Sequence, residues 1–218
     1  MSNRFELLVF DWDGTLMDSA SAIVASIQAS CSDLGLKVPE RERAAHVIGL
    51  GLKDALSYAV PELPPSDYGK LAERYKFHFM ARDPDIELFP GVREMLIALK
   101  EKGHMLAVAT GKSRAGLDRV LEATQLGQYF DSSRCADETH SKPHPAMLQE
   151  LMQELAVSRE ATLMIGDTAH DLQMAVSAGV AALGVSYGAH PRENLTALNP
   201  IDCIDAPEDL APWLKKNG

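Results

Sequence analysis

Leu7-Leu8-Val9-Phe10-Asp11-Trp12-Asp13-Gly14-Thr15-Leu16-Met17-Asp18-Ser19 begins with four apolar residues and breaks at once into carboxylates and a glycine. Such a run reads as a short buried strand whose C-terminal end opens into a polar turn, a place for a site rather than for core. Side chains alternate in direction along a strand, so Asp11 and Asp13 can project to one side as the strand runs out. Two carboxylates held that way repel, and keeping both ionised calls for a cation or a shared proton. A hard divalent ion such as Mg²⁺ is the simplest answer. Taken alone, Asp-x-Asp-Gly is equally an acidic loop in which Gly14 makes the turn.

Outward from this stretch, the same pattern repeats. Residues 105–109 form a second apolar run, ending in Thr110-Gly111, and residues 162–165 a further one, ending in Gly166-Asp167-Thr168-Ala169-His170-Asp171. Residues 180–185 predict a fifth strand, and 129–135 a weaker one that leads into Ser141-Lys142-Pro143-His144-Pro145. Between them lie one-faced helical patterns. Val92, Met95, Leu96 and Leu99 share a face, as do Leu117, Val120 and Leu121 behind a capping Ser113, then Leu148, Leu151, Met152 and Leu155 after Pro145, then Leu172, Ala175 and Val176. Strands alternating with such helices imply right-handed crossovers and an α/β, Rossmann-like parallel sheet of five or more strands, covered on both faces. Ligands of such sheets bind beyond the carboxyl ends of the strands, where every polar group named above falls.

The segment from Ser19 to about residue 84 carries no convincing strand. Ile23, Ile27, Cys31 and Leu34 keep helical spacing, with Asp18 or Ser19 as the cap and Gly35 as the stop. Residues 41–46, 53–60 and 66–80 can each be helical, separated by Gly49-Leu50-Gly51 and by a proline-rich turn at 61–65. The expected organisation is a core of residues 1–16 and 86–218 with an all-helical insert at 17–85.

The 218 residues carry a net charge of −10, which argues against a basic nucleic-acid-binding face. Cys31, Cys135 and Cys203 are far apart and lack metal-ligand spacing, as expected for apolar fillers in a reducing compartment. No apolar run approaches the ~20 residues of a membrane span, and a cytoplasmic location is the expectation.

Asp11-x-Asp13-Gly-Thr-Leu-x-Asp18-Ser19 resembles the first motif of the haloacid dehalogenase superfamily. Thr110, Lys142 and Gly166-Asp167-x-x-x-Asp171 follow in the order of its remaining motifs. The insert resembles the helical cap of the superfamily's first subclass. Ala109-Thr-Gly-Lys-Ser-Arg114 and Ser141-Lys-Pro-His-Pro145 look most like phosphoglycolate phosphatases. The resemblance implies a Mg²⁺-dependent phosphatase acting on a small phosphorylated metabolite through an aspartyl-phosphate. Asp11 would be the nucleophile and Asp13 the general acid and base. The phosphate would be held by Thr110, Lys142 and the backbone of Trp12 and Gly111. The Asp11 and Asp167 carboxylates and the Asp13 carbonyl would ligate the metal, with Asp171 behind them. Hydrolytic dehalogenation is disfavoured by Asp13, while a phosphosugar mutase of the β-phosphoglucomutase type would keep the whole set. A catalytically silent binding module would be expected to have lost one of the four key residues. For reading the leaving group, Arg43 and Lys53 are the candidates. Trp12 stands where relatives usually carry an aliphatic residue, and its indole is expected to pack beneath the insert. His140 and His144 flank Lys142, but the carboxylates already suit an oxygen-preferring ion.

Overall fold

The computed structural model describes residues 4–217; residues 1–3 and 218, counted with the core above, lie outside the described residues. Strands β1 (Leu7–Phe10), β2 (Met105–Thr110), β3 (Ser132–Cys135), β4 (Thr162–Gly166), β5 (Ala181–Val185) and β6 (Asp202–Ile204) form one parallel sheet. Its order is β3-β2-β1-β4-β5-β6, so the chain runs outward in one direction from β1 and then in the other from β4. A crevice opens at such a reversal, just beyond the carboxyl ends of β1 and β4.

The unbroken apolar runs follow from burial on both faces. Leu8 and Phe10 point into one cluster with Leu106, Val108, Leu163, Ile165, Leu183 and Val185. Their neighbours Leu7 and Val9 point into the other, with Ala107, Ala109, Met164 and Ala182. The first face is covered by α5 (Val92–Glu101), α6 (Arg114–Thr124) and α10 (Leu210–Asn217), and the second by α7 (Ala146–Leu155), α8 (Ala169–Ala178) and α9 (Arg192–Thr196). Each fully buried Leu, Val or Phe contributes about 1.5–3 kcal/mol, which makes the strand register costly to shift.

The insert consists of α1 (Ala20–Asp33), α2 (Arg41–His46), α3 (Leu52–Ala59) and α4 (Tyr68–Arg82), which pack around Ile23, Ile27, Cys31, Leu56, Leu71 and Phe79. The two strands of chain that join it to the sheet lie side by side. Asp18 N–H donates to the Glu87 carbonyl (2.9 Å), and Phe89 N–H to the Leu16 carbonyl (3.0 Å).

Several expectations are revised. The weak strand at 129–135 is confined to β3, since Gly127–Tyr129 is a 3-10 turn. Ser19 occupies the N-cap position of α1, but its hydroxyl makes no cap bond and is used elsewhere. Trp12 does not sit under the insert. It is buried within the first core cluster, with Nε1 on the Met17 sulfur (3.3 Å) and Phe130 beside it.

Candidate active site

Beyond β1 the backbone coils tightly, with the Trp12 carbonyl accepting from the N–H groups of Leu16 (3.0 Å) and Met17 (3.1 Å). The coil folds the chain back on itself, with Gly14 N–H donating to the Met17 carbonyl (2.8 Å). Gly14 makes it possible: φ is +87°, and a Cβ there would lie 2.1 Å from Asp167 Oδ2. Asp167 follows β4 and is oriented by the Thr15 hydroxyl (2.8 Å) and the Ala189 N–H (2.7 Å). Asp171 lies in the first turn of α8, where Thr168 N–H (3.0 Å) and Oγ1 (2.7 Å) donate to its Oδ2 in a reciprocal capping box.

Lys142 spans these carboxylates. Its ammonium donates to Asp11 Oδ1 (2.5 Å) and lies 2.7 Å from Asp171 Oδ1, all side chains fully buried. Burial alone would lower the Lys142 pKa, but Asp11 and Asp171 outweigh it and hold the ammonium above its ordinary value. Burial drives Asp11 well above the usual carboxylate range; Lys142 opposes this, while Asp171 and Asp167 reinforce it. Burial and Asp171 likewise raise Asp167 to about 7, against the Ala189 N–H, the Thr15 hydroxyl and Lys142. Thr110, at the end of β2, is buried, and its Oγ1 accepts from the Lys112 N–H (3.2 Å).

Three buried acids facing one ammonium leave negative charge uncompensated. Asp11, Asp167 and Asp171 each offer an oxygen within 4.8 Å of the others, and Asp11 Oδ2 is buried with no hydrogen-bond partner among the described residues. A hard cation preferring oxygen donors fits this set. The His140 and His144 rings lie 4.3 Å apart, tilted by 34°, but are exposed and stand outside that group.

Asp13 differs from its neighbours. Its Oδ1 accepts from the Ser19 hydroxyl (2.7 Å) and pairs with the Lys112 ammonium (2.9 Å), which lies 5.0 Å from the centre of the Phe79 ring of α4. Lys112 and Ser19 were not singled out as site residues in the sequence. Their signals were available: Lys112 stands two residues after Thr110 at a strand end, and Ser19 lies within the opening stretch.

The insert closes over the site through its 46–51 loop. The His46 carbonyl accepts from His170 Nε2 (2.7 Å) and His190 Nε2 (3.1 Å), and Gly51 N–H donates to the Ser141 hydroxyl (2.7 Å). The Gly49 and Leu50 carbonyls sit so near Gly111 that a Cβ there would be 2.6 and 2.5 Å away. Beside this contact is a cavity of about 910 Å³ between insert and sheet, bordered by Asp13, Lys112, Ile27, Tyr75, Phe79 and His140. Lys53 borders it too, at an exposed position. Arg43 does not: its guanidinium donates to the Tyr58 carbonyl (2.8 Å) and covers that ring, so it is turned away from the site.

Comparison with known proteins gives a consistent picture. The family described as haloacid dehalogenase-like hydrolase matches residues 8–185. A Dickeya dadantii (strain 3937) protein named "Probable phosphatase IndB" is 38% identical over 205 residues, covering 91% of this chain and 89% of that one. A phosphoglycolate phosphatase of Agrobacterium fabrum (strain C58) is 31% identical over 95% of this chain and 91% of its own. The crystal structure of a predicted phosphoglycolate phosphatase from Haemophilus somnus 129pt superposes with a TM-score of 0.84 at 26% identity, covering 98% and 99% of the two chains.

Proposed function

The chain belongs to the haloacid dehalogenase-like hydrolase family, and we propose that it is a Mg²⁺-dependent phosphatase that hydrolyses a small phosphate monoester through Asp11. The observation that carries this reading is the buried Asp11 Oδ2, which has no hydrogen-bond partner among the described residues; Asp171 Oδ1, also without a hydrogen bond, is covered by the Lys142 ammonium at 2.7 Å, and Asp167 is held by Thr15 and Ala189. A nucleophile needs a free oxygen, and it needs to be fixed; Lys142 on Oδ1 fixes it.

In the reaction so read, Asp11 attacks phosphorus in line with the ester oxygen, forming an aspartyl-phosphate and breaking the bond to the leaving group. Asp13 donates its proton to the departing oxygen, then takes one from the water that cleaves the acyl-phosphate. The carboxylates of Asp11 and Asp167 and the Asp13 carbonyl would hold Mg²⁺, which supplies positive charge against the approach of one anion to another. Lys142 and the Thr110 hydroxyl add to that charge and donor set, with the backbone N–H groups of Trp12 and Gly111 on the phosphate oxygens. Asp171 keeps Lys142 in place. Residues 17–85 act as a cap that opens for exchange about the neck at 16–18 and 87–89, and closes by seating the 46–51 loop on the core. The closed contacts exclude bulky phosphoproteins and favour small metabolites, 2-phosphoglycolate among them.

Phosphate release from 2-phosphoglycolate, sugar phosphates, nucleoside monophosphates and pyrophosphate, with Mg²⁺ or EDTA, tests this. Release is expected only with Mg²⁺ and is lost in Asp11→Asn. A folded, Mg²⁺-supplied protein that releases phosphate from no ester overturns the reading.

A further inference from the structure

Four cationic side chains, Lys53, Lys76, Lys112 and Arg119, border the cavity beside Asp13. Lys53 and Lys76 are exposed, and Arg119 is engaged by Asp83 at 2.8 Å. Lys112 is different in kind. Its side chain is 8% exposed, its ammonium lies 2.9 Å from Asp13 Oδ1, and the Phe79 ring of the insert closes over it at 5.0 Å.

An ammonium has three N–H donors, and the one ion-pair partner of Lys112 among the described residues is Asp13. That oxygen is already shared with the Ser19 hydroxyl. The remaining donors of a nearly buried cation favour an anion over water or a neutral group, because charge-assisted bonds in a dry site are the stronger ones. Position decides which anion. An ester oxygen brought up to Asp13 stands next to the same ammonium, since both bind one carboxylate, and a group one or two bonds further along the leaving group closes the remaining gap. Phe79 belongs to α4, so this seat is complete only when the insert lies on the sheet.

We propose that Lys112 is a specificity-determining residue that selects phosphate esters whose leaving group carries a second anionic group within about two bonds of the departing oxygen. The assignment rests on the phosphatase reading and names its substrate class: small, doubly anionic esters. It also replaces Arg43 and Lys53 as the group that meets the second charge.

A matched pair of esters tests it. In 2-phosphoglycolate the leaving group bears a carboxylate; in 2-hydroxyethyl phosphate a neutral hydroxyl takes its place. For each, kcat/KM is measured with the wild type, Lys112→Met, Lys112→Gln and Lys112→Arg, with Tm recorded to establish folding. The wild type is expected to prefer the anionic ester by about tenfold or more, the preference to collapse in the Met and Gln variants, and much of it to return with Arg. If the wild type shows no preference, or if the Met and Gln variants lower both esters in the same proportion, Lys112 serves only to hold Asp13 and the proposal fails, while Asp11-dependent hydrolysis leaves the phosphatase reading intact. Absence of release from both esters and from para-nitrophenyl phosphate overturns the two together.

Discussion

Lys142 joins the buried carboxylates of the candidate site, and in the proposed reaction it also serves the chemistry. Its ammonium is fully buried between Asp11 and Asp171, so its removal leaves carboxylates without a counter-charge in a dry site. Breaking a buried pair from one side costs about 3–5 kcal/mol. Lys142→Met is therefore expected to lower Tm and to reduce phosphate release severely. Adding Asp11→Asn removes one of the two stranded charges, so the double variant should regain stability without regaining activity. Denaturant unfolding of the four proteins in the cycle measures this; a double variant as unstable as the sum of the singles would show that the pair is not coupled. Lys142 was legible in the sequence through its place in an ordered set of motifs. Ser19 was legible only as a helix cap, because the local pattern cannot say that its hydroxyl turns back to Asp13 instead.

At the level of elements, the decisive contact is between the 46–51 loop of the insert and the turn after β2. Gly111 is required there because the Gly49 and Leu50 carbonyls occupy the space of its side chain. Its φ is not in the left-handed region, so alanine is tolerated by the backbone and the clash falls on closure alone. Gly111→Ala is expected to lower kcat/KM by about tenfold, or about 1.4 kcal/mol, with Tm little changed. Steady-state kinetics and thermal melts separate the two effects, and an undiminished kcat/KM would mean that the loop need not approach so closely. The helices of the insert were predictable to within one or two residues, the first from its apolar spacing and the others from the glycine and proline turns between them. The three-residue β6 was not, because only Cys203 and Ile204 are buried and Asp202 faces solvent.

For the molecule as a whole, the surplus of buried carboxylates links pH to stability and, in the proposed reading, links both to the metal. Asp167 has its pKa raised from 3.8 to about 7, so the metal-free folded state binds its proton more tightly than the unfolded chain does. That contribution is fully present below about 4 and is lost as pH rises through about 7. An ion held by Asp167 must displace the same proton. The increase in Tm produced by Mg²⁺ is thus expected to be small near pH 5 and to grow through pH 7, and Asp167→Asn should flatten the dependence. Melting curves with Mg²⁺ and with EDTA across that range test it; a shift independent of pH would mean that Asp167 does not exchange a proton for the ion.

The sequence alone determined the strand that opens the fold, the carboxylates at its end, the parallel sheet and the helical insert. Strand and helix periodicities, and motifs spaced within a turn, are local properties of the chain. Only the tertiary structure decided that Lys112 pairs with Asp13 beneath Phe79, that Arg43 is turned away on Tyr58, and that the His46 carbonyl is held by His170 and His190. Those contacts join residues as much as 144 positions apart. Apart from the Arg43–Tyr58 contact, which lies within the insert, they depend on how the insert seats on the sheet, a packing outcome that no local spacing encodes.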